Sequence, residues 1–115
     1  MVEIFDIYKS KSSIMKIRPL GEVRDIVQVT GLDISYAYDD LVFSDNSVFI
    51  LRFDNEVEKK LHLYFNSECN TIESKVLEGR LITAGKIGGF DIVYSGLFSV
   101  SQLEEKEEIQ IKFLN

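Results

Sequence analysis

A chain of 115 residues that is 45% hydrophobic and 28% charged carries enough apolar side chain for one core in a single domain spanning 1–115, and too much to stay disordered. Its formal net charge of −6 repels nucleic-acid phosphate and anionic lipid, so neither is an expected partner. The one Cys excludes an intrachain disulfide, and the longest purely apolar run, Val48 to Leu51, is far too short for a spanning helix.

The opening residues MVEIFDIYKSKSS lack a basic stretch followed by a long apolar one, so no secretory leader is expected and the cytoplasm is the default location. Val2 to Tyr8 fits a strand or a first helical turn. Lys9 to Ser13 reads as a polar loop, and Ile14 to Arg18 as a short strand that Pro19 closes for want of an N–H. Arg24 to Thr30 reads as a strand with Ile26 and Gln28 opposite Val27 and Val29, interrupted by Gly31. In Leu32 to Tyr38 the alternation is cleanest: Leu32, Ile34, Tyr36 and Tyr38 face one way, while Asp33, Ser35 and Ala37 face water.

Asp39 and Asp40 then turn the chain into the stretch around which the rest is arranged. Phe49, Leu51 and Phe53 alternate with Val48 and Ile50, so Ser47 to Phe53 is apolar on both faces and belongs inside a sheet. Leu41 to Phe43 and Leu61 to Phe65 flank it across two turns, Ser44 to Asn46 and Asp54 to Lys60, which makes three antiparallel strands.

Beyond Asn66 the pattern changes. Asn70 followed by Glu73 resembles a capping box that opens a helix through Ile72, Val76, Leu77 and Leu81 to Ala84, stopped by Gly85. The competing reading is a strand from Val76 to Ala84, favoured by Gly79 inside the segment and by Ile82 off its apolar face. Phe90 to Phe98 is a strand with Gly96 marking a bulge or close approach. Ser101 to Glu108 reads as a solvated turn, and Ile109 to Phe113 as a strand paired with the one before it. The fold these elements predict is α+β: an antiparallel, meander-like sheet of about six strands with one helix, Asn70 to Ala84, packed on one face. An all-β sandwich or barrel is the alternative.

Candidate chemistry is sparse. His62 and Cys69 are the only residues of their kinds and could form a thiol and its base, but no orienting group or oxyanion donor is evident, and a buried thiol beside a solvated imidazole is the plainer reading. With one of each there is no zinc spacing, and Asp45-Asn46 and Asp54-Asn55-Glu56 lack the ligand pattern of a calcium loop. Gly85-Lys86-Ile87-Gly88-Gly89 fails the spacing of a phosphate loop and reads as a flexible turn. No catalytic residue, cofactor or metal site is therefore expected, and the chain is not expected to be an enzyme.

Charge is the one global feature. Residues 1–30 hold five Lys/Arg and four Asp/Glu, whereas 31–115 hold eight and fifteen. Glu56, Glu58 and the Glu104 to Glu108 cluster fall in expected turns. In turns or on wet strand faces stand also Asp33, Asp39, Asp40, Asp45 and Asp54, with Tyr36, Tyr38 and Tyr64 among them. Carboxylates speed encounter with a cationic surface and aromatic rings slow escape from it. Those eight residues are the expected contact surface for a basic protein partner, bound by occlusion in the manner of inhibitors and immunity proteins of secreted bacterial toxins. A structural or accessory subunit, with the cationic segment Lys9 to Arg24 as a docking arm, is the alternative, ahead of a small ligand-binding or enzymatic domain.

Overall fold

The computed structural model describes residues 2–8, 18–103 and 108–114. Strands β1 (Val2–Tyr8), β2 (Ile34–Tyr38), β3 (Leu41–Ser44), β4 (Phe49–Phe53), β5 (Lys60–Asn66), β6 (Asp91–Leu103) and β7 (Glu108–Leu114) form one sheet in the order β1-β7-β6-β5-β4-β3-β2. Helix α1 (Leu20–Gln28) precedes β2, and α2 (Thr71–Ile87) joins β5 to β6. The expected strand Ile14 to Arg18 and loop Lys9 to Ser13 lie, apart from Arg18, outside the described residues, as does the centre of the expected turn at 104–107.

The α+β class holds, with two corrections. The sheet is mixed, because β5 and β6 run parallel while every other pair is antiparallel. Two neighbouring parallel strands need a crossover to carry the chain back, and the 17 residues of α2 supply it. The second correction is a second helix. Arg24 to Gln28, expected as strand, lies in α1, because Val23, Ile26 and Val27 share one helical face and are all buried against the α2 side of the sheet. Their β-branched side chains disfavour a helix by only tenths of a kcal/mol each, well below what burying three of them returns.

The meander from β3 to β5 is as the alternation requires. Phe49, Leu51 and Phe53 of β4, with Leu61, Leu63 and Phe65 of β5, pack beneath the helices against Leu77, Leu81, Phe90 and Ile92. Ile50 faces the other way and joins Leu41, Phe43, Phe98, Ile111 and Phe113 in a second buried cluster on the helix-free face.

Helix α2 begins at Asn70, whose side chain accepts from the N–H groups of Ile72 and Glu73 at 2.8 and 3.2 Å. It does not stop at Gly85. Leu77, Leu81 and Gly85 are its buried positions, and the helix continues to Ile87 before turning at Gly88 and at Gly89, φ +83°. Ile72 and Val76, expected in the core, point outward instead, 78% and 49% exposed.

Candidate functional site

Alternation along β4 and β5 sends Arg52, His62 and Tyr64 to the helix-free face, where Arg52 and His62 are cross-strand partners. A cation there needs an anion close by, and two carboxylates from flanking turns are drawn in. Arg52 Nε donates to Asp40 Oδ2 at 3.1 Å, with side chains only 18% and 10% exposed. The guanidinium sits over the Phe113 ring at 5.5 Å, and Tyr64 stacks on the same ring at 4.6 Å between centroids. Asp40 Oδ1 is buried without a hydrogen-bond partner among the described residues.

Asp54 does more. Its Oδ1 lies 2.7 Å from His62 Nε2, while its Oδ2 accepts from the backbone N–H groups of Glu56 and Val57 at 2.9 and 2.8 Å. His62 Nδ1 in turn lies 3.0 Å from Ser95 Oγ on β6. The His62 hydrogen bond first, then the amides of Val57 and Glu56, hold the Asp54 carboxyl well below the usual carboxylate range. A neutral imidazole donates from Nε2 to Asp54 and accepts from Ser95 at Nδ1, whereas an imidazolium donates to both.

The order aspartate, histidine, serine is that of a nucleophilic triad, but the serine is tied down. Ser95 Oγ also lies 3.2 Å from Val93 O within its own strand, a second acceptor that competes with His62 Nδ1 for its one proton. The shallow cavity of about 220 Å³ beside the histidine is lined by Arg52, Phe53, Asp54, Asn55, His62 and Tyr64, and Ser95 is not part of that lining. The chain Asp54–His62–Ser95 links the β4–β5 turn to β5 and β6.

The expected contact residues divide. Tyr36, Tyr38 and Tyr64 do gather, packed against the helix-free cluster. A register shift in β2 makes this possible: Ile34 pairs with Ser44 and Tyr36 with Phe43, so one extra residue inverts the alternation. Leu32 and Ile34 consequently pack under the helices, not beside the tyrosines as simple alternation has it.

The carboxylates differ in what holds them. Asp40 and Asp54 are turned inward, and Asp33 makes a two-pronged bond to Arg24 at 2.9 Å on each arm. That bond, followed by the Ile34 amide, lowers the Asp33 carboxyl to about 2. Asp45 accepts from the Asp33 N–H at 3.1 Å, leaving Asp39 exposed at the β2–β3 turn with φ +56°.

Arg24, at the end of the expected docking arm, is thus held by the domain itself. His62, read as solvated, is in fact bonded on both ring nitrogens. Cys69 is half-buried near the start of α2, 3.9 Å from Glu73 Oε1; burial, and then the Glu73 charge, push its thiol up and away from nucleophilic character. Lys86 and Ile87 of the expected glycine-rich turn belong to the last turn of α2.

Arg52, His62 and Ser95 carry this site without having been singled out together. One signal was available: an arginine between Leu51 and Phe53 in a strand apolar on both faces demands a buried counter-ion. No family model matches the chain, and neither a curated protein nor a solved structure does.

Proposed function

We propose that this chain acts by binding a basic protein and occluding it, with the β4–β5 turn as the element that enters the partner. The bracing of that turn is the observation that carries the reading. Asp54 fixes two backbone amides of the turn and is itself fixed through His62 to Ser95. The tip therefore presents Glu56, Val57 and Glu58 to solvent in a set conformation, with Val57 52% exposed. A preorganised loop loses little freedom when it inserts, and carboxylates beside an apolar tip raise the rate at which a cationic cleft is found.

Arg18, Lys59 and Lys60 share a depression with Glu56 and Glu58. Lys59, with φ +60° at the end of the turn, directs its Nζ to Glu22 at 3.8 Å and over the Phe90 ring at 5.4 Å, toward the helices. Asn55 and Tyr64 line the depression beside the turn and supply a polar and an aromatic contact at its base. The functional surface proposed here is the part of the expected acidic surface at the β4–β5 turn, Glu56 and Glu58 beside Asp54 and Tyr64, without Asp33, which is bonded to Arg24, or the inward-turned Asp40.

The test compares two baits in cells of the native host, the natural chain and Glu56→Lys/Glu58→Lys, followed by association kinetics on any protein that only the first retains. The expected partner is basic and associates more slowly as salt is raised. Equal capture by both baits, or an association rate indifferent to salt, overturns the proposal.

A further inference from the structure

Helix α2 is apolar on two sides. Leu77, Leu81 and Gly85 face the sheet, while at about 3.6 residues per turn Ile72, Val76, Gly79, Thr83 and Ile87 fall on one outward stripe. All five are exposed, Ile72 to 78% and Ile87 to 84%. Their spacing of four, three, four and four is close to that of a seam between two packed helices. Among the described residues this outward face of the helix has no partner.

The borders of the stripe say what covers it. Lys75 and Lys86 lie along one border. Glu73 and Arg80 lie along the other, the side of Ala84, where α1 brings Glu22 and Asp25 beside Ala84 and Ile87 around a groove of about 340 Å³. One border is thus basic and the other, with Lys59 on Glu22 at 3.8 Å and Arg80 set against Glu22, Asp25 and Glu73, net acidic, with the apolar stripe between.

We infer that the stripe is the contact between two copies of this chain, related by a two-fold axis that runs along α2. Such an axis sets opposite borders of the two copies against each other at the same height. Lys75 then faces Glu73 of the second copy, Lys86 faces the Glu22 and Asp25 side, and each stripe meets itself. Arg80, the cation that α2 itself places on the acidic border, comes opposite Gly79, where no side chain stands. A two-fold axis across α2 instead sets like borders together and brings Lys75 of one copy toward Lys86 of the other, which repels. The charge pattern therefore selects a parallel pair. The stripe shares no residue with the β4–β5 turn, although Lys59 of that turn reaches Glu22 on the acidic border at 3.8 Å.

Sedimentation equilibrium of the whole chain tests it. The natural chain should be dimeric at about 100 μM and dissociate on dilution. Ile87→Glu should lower the association constant at least about tenfold by placing a charge in the seam, at a position too exposed to affect folding. Lys86→Glu should weaken association several-fold, and Glu22→Lys/Asp25→Lys in the same chain should restore it.

Orientation is read by oxidation in a Cys69→Ser background: Thr83→Cys should cross-link to itself, since a parallel pair brings equal heights together. A chain monomeric at about 500 μM, a dimer unmoved by Ile87→Glu, or cross-linking of Ile72→Cys with Ile87→Cys in place of the Thr83→Cys pair each overturns the inference.

Discussion

Replacing Gly85 by alanine should destabilise the domain even though it removes a glycine from a helix. A Cβ at this position would lie 2.8 and 2.9 Å from Ile92 Cδ1 and Cγ1 and 3.2 Å from the Phe90 carbonyl oxygen. Ile92 is 4% exposed and has little room to swing aside. The Phe90 backbone is pinned as well, since its N–H donates to Gly85 O at 2.7 Å. Exchanging glycine for alanine inside a helix ordinarily stabilises by about 1 kcal/mol. Forcing a methyl into a filled contact costs about 1–3 kcal/mol, so the net effect is a loss of roughly 0–2 kcal/mol.

Gly79, in the same helix with nothing within 4 Å of its hypothetical Cβ, should show the ordinary gain of about 1 kcal/mol. Urea denaturation of both variants at low protein concentration measures the difference, expected to be about 1–3 kcal/mol at unchanged m-value. Gly85→Ala/Ile92→Val should recover part of the loss by removing the closer of the two side-chain atoms. A Gly85→Ala protein as stable as Gly79→Ala would refute the close approach of α2 to β6.

Asp33 supplies a pH test. Its folded value, about 2, lies below the ordinary 3.8, so its contribution is complete above that ordinary value and disappears as pH falls from there through about 2. Asp33→Asn should flatten this part of the acid limb in denaturation midpoints followed by circular dichroism, and an unchanged slope would show the Arg24 bond to be unformed. Asn70→Ala should cost about 1 kcal/mol in urea denaturation by leaving the Ile72 and Glu73 amides without their acceptor. Asp54→Ala should accelerate hydrogen exchange at the Glu56 and Val57 amides, measured by NMR, with the amides of the β4 core unchanged.

Much of the sheet was legible because alternation is a local property. Phe49, Leu51 and Phe53 against Ile50 marked β4 as buried on both sides, and Leu61, Leu63 and Phe65 fixed which face of β5 meets the core. The Asn70 cap was legible for the same reason, since a side chain and the amides two and three residues later need nothing from elsewhere. Alternation failed at β2, where one extra residue inverts the faces without a glycine or proline to announce it. It failed again at α1, where Val23, Ile26 and Val27 satisfy the helical period while Ile26 to Val29 also satisfy the strand period. Only the presence of α2 and the sheet beneath decides between the two.

The candidate site was harder to read than the fold. A carboxylate in a turn looks solvated until the cation that takes it is placed, and Arg52, His62 and Arg24 come from separate elements. The partners of Asp40, Asp54 and Asp33 stand 12, 8 and 9 residues away, and Ser95 lies 33 residues beyond His62. Of the expected acidic surface, Glu56 and Glu58 stand exposed at the β4–β5 turn, while Asp40 and Asp54 are taken by cations.

By itself the amino-acid sequence determined the acidic balance, the strands from Leu41 to Phe65, both sides of their burial, and the start of α2, since each follows from side chains that are neighbours along the chain. Tertiary structure alone decided that β5 and β6 lie parallel, that Gly85 packs where it was expected to terminate, and which carboxylates meet cations. Those outcomes depend on which segments come together in space, and the free energy of that meeting is shared among residues that no local period connects.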